Sequence, residues 1–478
     1  MARSTLPTEL LAGIFDHLSP SSLGVASRVC RTWKTVAFGP LHQTVYLCLA
    51  VHLDHFVRRV STEDIDSQFS IITHLRGLVL DIKYYENQEE EMINESNLDS
   101  FNLIIPRLTE LKYLSWKLLF VPGDSETFRL FQTQCPKLNS VHICVYDSID
   151  FYSGAWYRPR KKLLLTPWVA RYDMLLEFKD LLSFSLALWD IPARFNQDLL
   201  DPLVSLLARC PQLYSLVFDF SGEFPYSPAK LVAGLSDQFV FPHLRRFYAQ
   251  RSANPDWLQF FENPDSHPFR RFLKRHPGIE DLALGYVEET PYCNPIDPTD
   301  IAQLFPSLKF FEGPIFLFQP LVMSTLAEQL EKLIIVDNPL FDEVSLTKMY
   351  DRIQVLPKLR KFGIWADVIE QEGMLVNLLR TVVNAAGQLE EIEIRPDIES
   401  ADYEEVMRLI ARAPGLRSVT LNESVLSLAS ENNGEELEWD TFASNLRRIC
   451  PRLRTIYRPV RKFEDENREK VWELLDDA

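Results

Sequence analysis

A chain of 478 residues exceeds one ordinary core and implies about three domains at roughly 150 residues each, or one elongated array. Fifty Lys+Arg against 67 Asp+Glu leave a formal charge of −17, which argues against general nucleic-acid binding and against a basic membrane-surface protein. With hydrophobic residues at 46% of the chain and aromatics at 12%, a large core can be buried and wholesale disorder is excluded.

No uncharged apolar run reaches the roughly 18 residues that a membrane span needs. Met1–Thr5 passes straight into an amphipathic pattern rather than the apolar core of a signal peptide. Seven scattered cysteines, an odd number, read as reduced thiols. The expectation is a soluble protein of the cytoplasm and/or nucleus.

Residues 6–42 carry a pattern of their own. Leu6-Pro7 places a proline near a helix start, where its missing N–H costs nothing. Leu10, Ile14 and Leu18 recur every four residues, joined by Leu11 and Phe15, so a short helix is apolar over much of its circumference. Ser19-Pro20-Ser21-Ser22 breaks it and caps a second helix, predicted from Leu23 through Val25, Ala26 and Val29 to Trp33. Val36-Ala37 continues its apolar face until Gly39-Pro40 stops it. So short a cluster cannot bury enough surface alone. Its second apolar face must be covered by the downstream chain or by a partner.

Leu6-Pro7-Thr8-Glu9-Leu10-Leu11-Ala12-Gly13-Ile14-Phe15-Asp16-His17-Leu18, then Leu23, then Val29-Cys30-Arg31-Thr32-Trp33, resembles an F-box. Two positions depart from that pattern: Ser22 stands where an acidic residue often precedes the leucine, and Gly24 follows it inside the predicted helix. The resemblance implies binding to the Skp1 adaptor and, through it, to a cullin–RING ubiquitin ligase. By carry-over, Leu6, Pro7, Leu10, Ile14, Leu18, Leu23, Val29, Cys30 and Trp33 form the set that faces the adaptor or supports the F-box from inside. Sequence does not separate the two roles.

A connecting helical segment follows over residues 46–70. It contains His52-Leu53-Asp54-His55, two imidazoles that can share a helical face, but a zinc site needs three or four ligands, and the reading is solvated helix surface.

Beyond it a unit recurs: a leucine-bearing helix, often Cys-Pro or x-Pro, then L-x-x-φ-x-φ with φ apolar. Cys135-Pro136-Lys137-Leu138-Asn139-Ser140-Val141-His142-Ile143 and Ala413-Pro414-Gly415-Leu416-Arg417-Ser418-Val419-Thr420-Leu421 are good examples. First leucines, or their substitute, fall at 75, 111, 138, 181, 213, 244, 279, 308, 330, 359, 389, 416 and 453, at intervals from 22 (308 to 330) to 43 (138 to 181). Proline fits that place because it cannot continue the helix and biases its predecessor to extended geometry. Such units bury their apolar faces only by stacking. They resemble leucine-rich repeats in a long, irregular form; the full pattern with its terminal asparagine is clean only at Leu330–Asn338. A purely helical solenoid is the alternative, and the φ-x-φ alternation favours strands.

If the strands are parallel with φ residues inward, the intervening residues face the open side of the array. That register gives Tyr113, Arg246, Tyr248, Phe310, Trp365 and Tyr457 as candidate client contacts, aromatic side chains with a basic neighbour. A one-residue slip would bury them instead. Two basic clusters, one between 441 and 462 (Arg447, Arg448, Arg452, Arg454, Arg458, Arg461, Lys462) and one at Arg158-Pro159-Arg160-Lys161-Lys162 in an expected inserted loop, could meet an acidic or phosphorylated segment or be plain solvated surface. Glu86–Asp99 reads as a solvated or disordered acidic loop.

Catalytic signatures are missing. There is no phosphate cradle, dinucleotide fingerprint, nucleophile elbow, H-E-x-x-H or C-x-x-C, and only 16 glycines occur. Cys135, Cys210 and Cys450 all precede prolines and read as small core residues ending helices.

The expected fold class is α/β: a small all-α F-box followed by a curved leucine-rich-repeat solenoid of helix–strand units. The expected boundaries are 1–45 for the F-box, 46–70 for the connecting segment, 71–462 for the array and 463–478 for an acidic C-terminal helix or tail. The resemblance implies a non-catalytic substrate receptor of a Skp1–cullin–F-box ligase, with Skp1 and an unknown protein client as partners. No cofactor, metal, nucleic acid or membrane is expected. The alternative is a Skp1-binding scaffold that acts without cullin.

Overall fold

The computed structural model describes residues 6–81, 93–118, 126–145, 177–188, 195–220, 226–251, 253–285, 295–336, 355–365, 373–396, 402–422, 439–458 and 470–473, with isolated positions between them. Two compact units divide the chain, one of residues 1–149 with 157–215 and one of 150–156 with 216–478.

The first unit opens with helices α1 (Thr8–Phe15), α2 (Pro20–Ala26) and α3 (Arg31–Leu41). Pro7 sits at the α1 N-cap, and the Ser19 hydroxyl accepts from the Ser22 N–H at 3.2 Å to cap α2. The single helix expected from Leu23 to Trp33 is two. α2 ends at Ala26, the chain turns through Ser27–Val29, and an extended Cys30 (φ −160°, ψ 172°) leads into α3. The reason is convergence. Leu23 and Ala26 must meet Ala37 and Trp33 around Leu11 and Phe15 in one small core, and a straight rod cannot fold back on itself. Gly39-Pro40 lies inside the last turn of α3 instead of stopping it. A proline so near the end forfeits one bond, and the helix still closes on the His42 N–H to Phe38 O at 3.1 Å.

The unit continues through β1 (Thr44–Leu47), α4 (Ala50–Thr62), α5 (Ile71–His74), β2 (Gly77–Asp81), α6 (Leu98–Asn102), β3 (Tyr113–Leu118), α7 (Glu126–Gln134), β4 (Ser140–Val145), β5 (Ser183–Leu188) and α8 (Phe195–Arg209). Strand β1 was not expected. It pairs with β2 in parallel, Thr44 against Gly77, and the anchor place two residues before it holds His42, whose ring packs on Phe38 at 4.4 Å. An imidazole does there what leucine does in later repeats, which hid the unit from a leucine pattern. His52 and His55 both lie on the exposed side of α4, opposite buried Leu53 and Phe56. The described end of the acidic stretch is structured rather than a loop. Asn94 and Asn97 form a reciprocal cap over a short turn at Glu95–Asn97, and Leu98 and Phe101 of α6 are buried. Arg158–Lys162 and Asn338 lie outside the described residues.

The second unit runs β6 (Ser215–Phe220), α9 (Pro228–Ala233), β7 (Arg246–Arg251), α10 (Trp257–Glu262), α11 (Pro268–Arg275), β8 (Asp281–Leu284), α12 (Pro298–Leu304), β9 (Phe310–Gly313), α13 (Ile315–Val322), β10 (Lys332–Ile335) and β11 (Lys361–Ile364). Then come α14 (Met374–Ala385), β12 (Glu391–Ile394), α15 (Tyr403–Arg412), β13 (Ser418–Leu421), α16 (Trp439–Ile449), β14 (Thr455–Arg458) and β15 (Lys470–Glu473). Where a C-terminal helix or tail was expected, β15 pairs antiparallel with β14, Glu473 standing opposite Thr455.

In both units strand order follows chain order, and the pairings from β1 to β5 and from β7 to β14 are parallel. The fold is therefore a helical N-terminal region followed by a parallel-strand array of helix–strand repeats, not a helical solenoid. Each of the thirteen anchors stands two residues before a strand, from Leu75 before Gly77 to Leu453 before Thr455. Twelve are buried and Leu138 is half-buried. From β2 to β14 the second residue of the strand points inward, as with Leu114, Phe247, Leu333, Ile392 and Val419. Cys135, Cys210 and Cys450 are buried just after α7, α8 and α16; burial pushes the Cys135 thiol up to about 12 and Cys210 up to about 11, so neither is a thiolate nucleophile.

One core histidine makes stability depend on pH. His276 Nε2 accepts from the Phe241 N–H at 2.9 Å while Nδ1 lies 2.6 Å from Phe272 O, a neutral ring bonded at both nitrogens. Burial lowers its pKa from 6.5 to about 4. Below pH 6.5 the unfolded chain gains a proton that the folded chain refuses, so this contribution is full above pH 6.5 and is lost as pH falls towards 4. The expected result is a cost of about 2 kcal/mol at pH 5 relative to pH 7 from this one ring. Urea melts at the two pH values check it, with H276F as the control that reduces the loss by this amount.

Candidate functional site

The N-terminal helices sort the apolar residues into two sets. Leu11, Phe15, Leu23, Ala26 and Ala37 form the interior, with Leu18, Trp33, Val36 and Leu41 packed partly against it. Trp33 meets Phe15 edge-on at 5.4 Å between ring centres. The other set is open to water: Leu6 is 50% exposed, Leu10 58%, Ile14 50%, Val25 68% and Val29 61%. Leu10 and Ile14 are one turn apart on α1, Leu6 precedes them beside exposed Pro7, and Val25 and Val29 flank the end of α2. Among the described residues nothing of this chain covers them. Contiguous exposed apolar side chains of this kind are characteristic of interaction surfaces in general.

The strand array offers a second face. Along β7–β14 the outward residues align in register rows, one running Arg246, Asp281, Phe310, Lys332, Lys361, Glu391, Ser418, Thr455. A second row runs through Tyr248, Glu312, Glu393, Thr420 and Tyr457. All six candidate client residues are exposed or half-buried, Arg246 being the exposed one. They are not one cluster. Arg246 and Tyr248 converge on Asp281, each at 2.9 Å, and Phe310 is its register neighbour. Trp365 carries the Arg395 guanidinium at 4.0 Å over its ring, and its indole N–H is buried without an acceptor. Tyr457 lines an open groove of about 320 Å³ with Lys361, Glu391, Glu393, Arg417 and Arg454. Tyr113 stands on β3, in the other unit.

Sequence reasoning passed over a charge pattern beside these rows. The residue after each anchor forms a rail in which, from Glu280 onward, each N–H bonds to the carbonyl of the preceding repeat. From Arg245 it reads Glu280, Lys309, Glu331, Arg360, Glu390, Arg417 and Arg454, at N–H···O distances of 2.8–2.9 Å. Charge alternates along it. Glu280 holds Lys309 at 2.7 Å and Arg245 at 3.6 Å, and Glu390 holds Arg417 at 3.6 Å. The alternation fails only at the last step, where Arg454 follows Arg417.

The F-box-like family matches residues 4–48, the stretch that holds the three helices and β1. Residues 4–48 are an F-box-like domain. No curated protein sequence matches the chain. Among solved structures, the crystal structure of the Rad7 and Elc1 complex in yeast matches at 12% identity, covering 94% of this chain and 87% of that one with a TM-score of 0.40. An internalin from Listeria monocytogenes matches at 14% identity over 72% and 82%, with a TM-score of 0.27.

Within the F-box-like domain the nine signature residues divide. Leu6, Pro7, Leu10, Ile14, Val29 and Cys30 are exposed, whereas Leu23 is buried and Leu18 and Trp33 are half-buried. Val25, absent from the signature set, belongs with the exposed group. Its signal was present as an apolar residue beside Leu23, but only the break after Ala26 reveals its direction. A Cβ added at Gly24 meets no atom within 4 Å. G24A should therefore stabilise α2 by about 0.5–1 kcal/mol, read as a raised melting temperature of the full chain.

Proposed function

We propose that this chain is the substrate-receptor subunit of a Skp1–cullin–F-box ubiquitin ligase. The observation that carries the reading is the open apolar set Leu6, Leu10, Ile14, Val25 and Val29 on a domain whose own core is already closed. An F-box-like domain with such a face fits a Skp1-type adaptor, whose binding would remove these side chains from water at about 25 cal/mol per Å². The repeats, taken as irregular leucine-rich repeats, would hold a protein client through the outward strand rows.

The mechanism is proximity. One end docks to the ligase and the array holds the client, raising the local concentration of its lysines near the charged ubiquitin-conjugating enzyme. This chain contributes no covalent step on that reading. Reconstitution with recombinant Skp1 and a cullin–RING pair tests it: a stable complex containing all of them supports the ligase role. Capture of the adaptor with cullin excluded would assign a cullin-free scaffold instead, and failure to capture the adaptor would overturn both.

A further inference from the structure

From the imidazole at the first anchor place and the cations gathered round it, we propose that His42 is an acid-sensitive latch between the F-box-like helices and the first repeats. Neutral, it holds the two together, and proton uptake releases them.

The place itself is the anomaly. The thirteen later anchors are leucine, with one isoleucine at Ile279, and none of them can take a proton. His42 ends α3 and stands two residues before β1, so one residue closes the helical domain and opens the array. Phe38, one turn earlier, belongs to the same joint. It is absent from the core of Leu11, Phe15, Leu23, Ala26 and Ala37, yet it is only 7% exposed. The first repeats help to bury it: the Phe69 ring lies at 5.3 Å and His74 of α5 at 5.6 Å, with His42 at 4.4 Å. The approach is close enough that a Cβ on Gly39 would stand 3.2 Å from His74 Nδ1.

The surroundings suit a neutral ring and not a charged one. The charged and titratable groups facing His42 are Arg59 and Glu63 of α4 and His74 of α5. Arg59 lies over the Phe38 ring at 6.0 Å and Lys34 of α3 over the Phe69 ring at 5.4 Å, so both rings already carry a cation. Glu63 is the one anion, and it is committed elsewhere. One of its oxygens caps α5 through the Ile71 N–H at 2.7 Å, and the other accepts from Arg59 Nε at 3.3 Å. No acceptor among the described residues bonds to the His42 ring. A proton gained there would enter a half-buried site with nothing to receive it.

Burial, and after it the Arg59 charge, hold the His42 pKa below 6.5 against the pull of Glu63. Opening the joint returns the ring to water and to its ordinary value near 6.5. The latch is therefore closed above pH 6.5 and loosens as pH falls below it, by at most about tenfold per pH unit for one proton. The helical domain survives the opening, because its own core includes neither Phe38 nor His42.

Hydrogen exchange of the purified full chain at about pH 7 and about pH 5.5, corrected for the intrinsic rate, reads this opening. Amides of residues 42–47 and 71–77 should lose protection roughly three- to tenfold at the lower pH, while those of α1 and α2 keep theirs. H42L installs the residue of the other repeats, and H42Q keeps a polar side chain that cannot titrate. Either variant should hold the joint's protection equal at the two values. Protection of the native joint that does not change with pH would overturn the latch, as would an undiminished loss in a folded H42L or H42Q. An equal loss across α1 and α2 would also overturn it, because the whole domain would then be unfolding.

Discussion

The double variant L10D/I14D is expected to lose capture of a Skp1-type adaptor by at least about a hundredfold while the chain folds as before. Both side chains are at least half open to water, so aspartate there removes little packing and leaves stability within about 0.5 kcal/mol. Placing two charges in the middle of an apolar contact would strand them without partners. The contrast is F15D, four residues from Leu11 on the opposite side of α1, where the ring is buried and packs on Trp33. That change should unfold the domain and lose adaptor binding for a different reason. Circular dichroism melts run beside the capture assay separate the two. A folded L10D/I14D chain that still captures adaptor would show that the open apolar set is not the docking face.

A second large effect is expected at a buried charge in the other unit. Arg270 on α11 is only 2% exposed, pairs with Asp300 on α12, and lies 5.3 Å from the Phe260 ring centre. Its Nε and Nη1 have no acceptor. Asp300 is the sole anion on that guanidinium among the described ion pairs, so D300A leaves an unmatched buried cation and should cost about 3 kcal/mol. The double variant R270M/D300A removes the charge with its partner, fills similar volume against Phe260 and Phe261, and should recover most of that loss. Urea midpoints of the four chains give the cycle. Additive losses in the double variant would mean zero coupling, and the buried charge would not depend on Asp300.

How much of this was legible beforehand follows from which forces act locally. The anchors could be read because leucine, proline and the two inward residues of each strand lie within nine positions of one another, and all thirteen lead into strands. The repeat led by His42 could not, because an imidazole packed on Phe38 satisfies the same place with different chemistry. The break between α2 and α3 was hidden for another reason: Leu23 to Trp33 has continuous helical spacing, and only the need to close a small core forces the turn. Sorting Leu10 from Leu11, or Val25 from Leu23, depends on which side of a helix meets its neighbours, and both members of each pair are equally apolar. The Arg417–Arg454 step was present in the sequence once anchors were aligned. It lay one column from the leucines and was not read, because charge on a surface is ordinarily solvated.

Because within each unit every strand neighbours only those next to it in the chain, no turn depends on a distant one for its register. Contacts stay short-range in sequence, so the polypeptide can consolidate turn by turn as it leaves the ribosome, and unfolding can fray inward from an end. The same layout tolerates growth. A duplicated or deleted turn would shift the outward residues of the array while leaving the helices at the front of the chain untouched. Changing turn number could thus alter what the array presents with no redesign of the F-box-like domain.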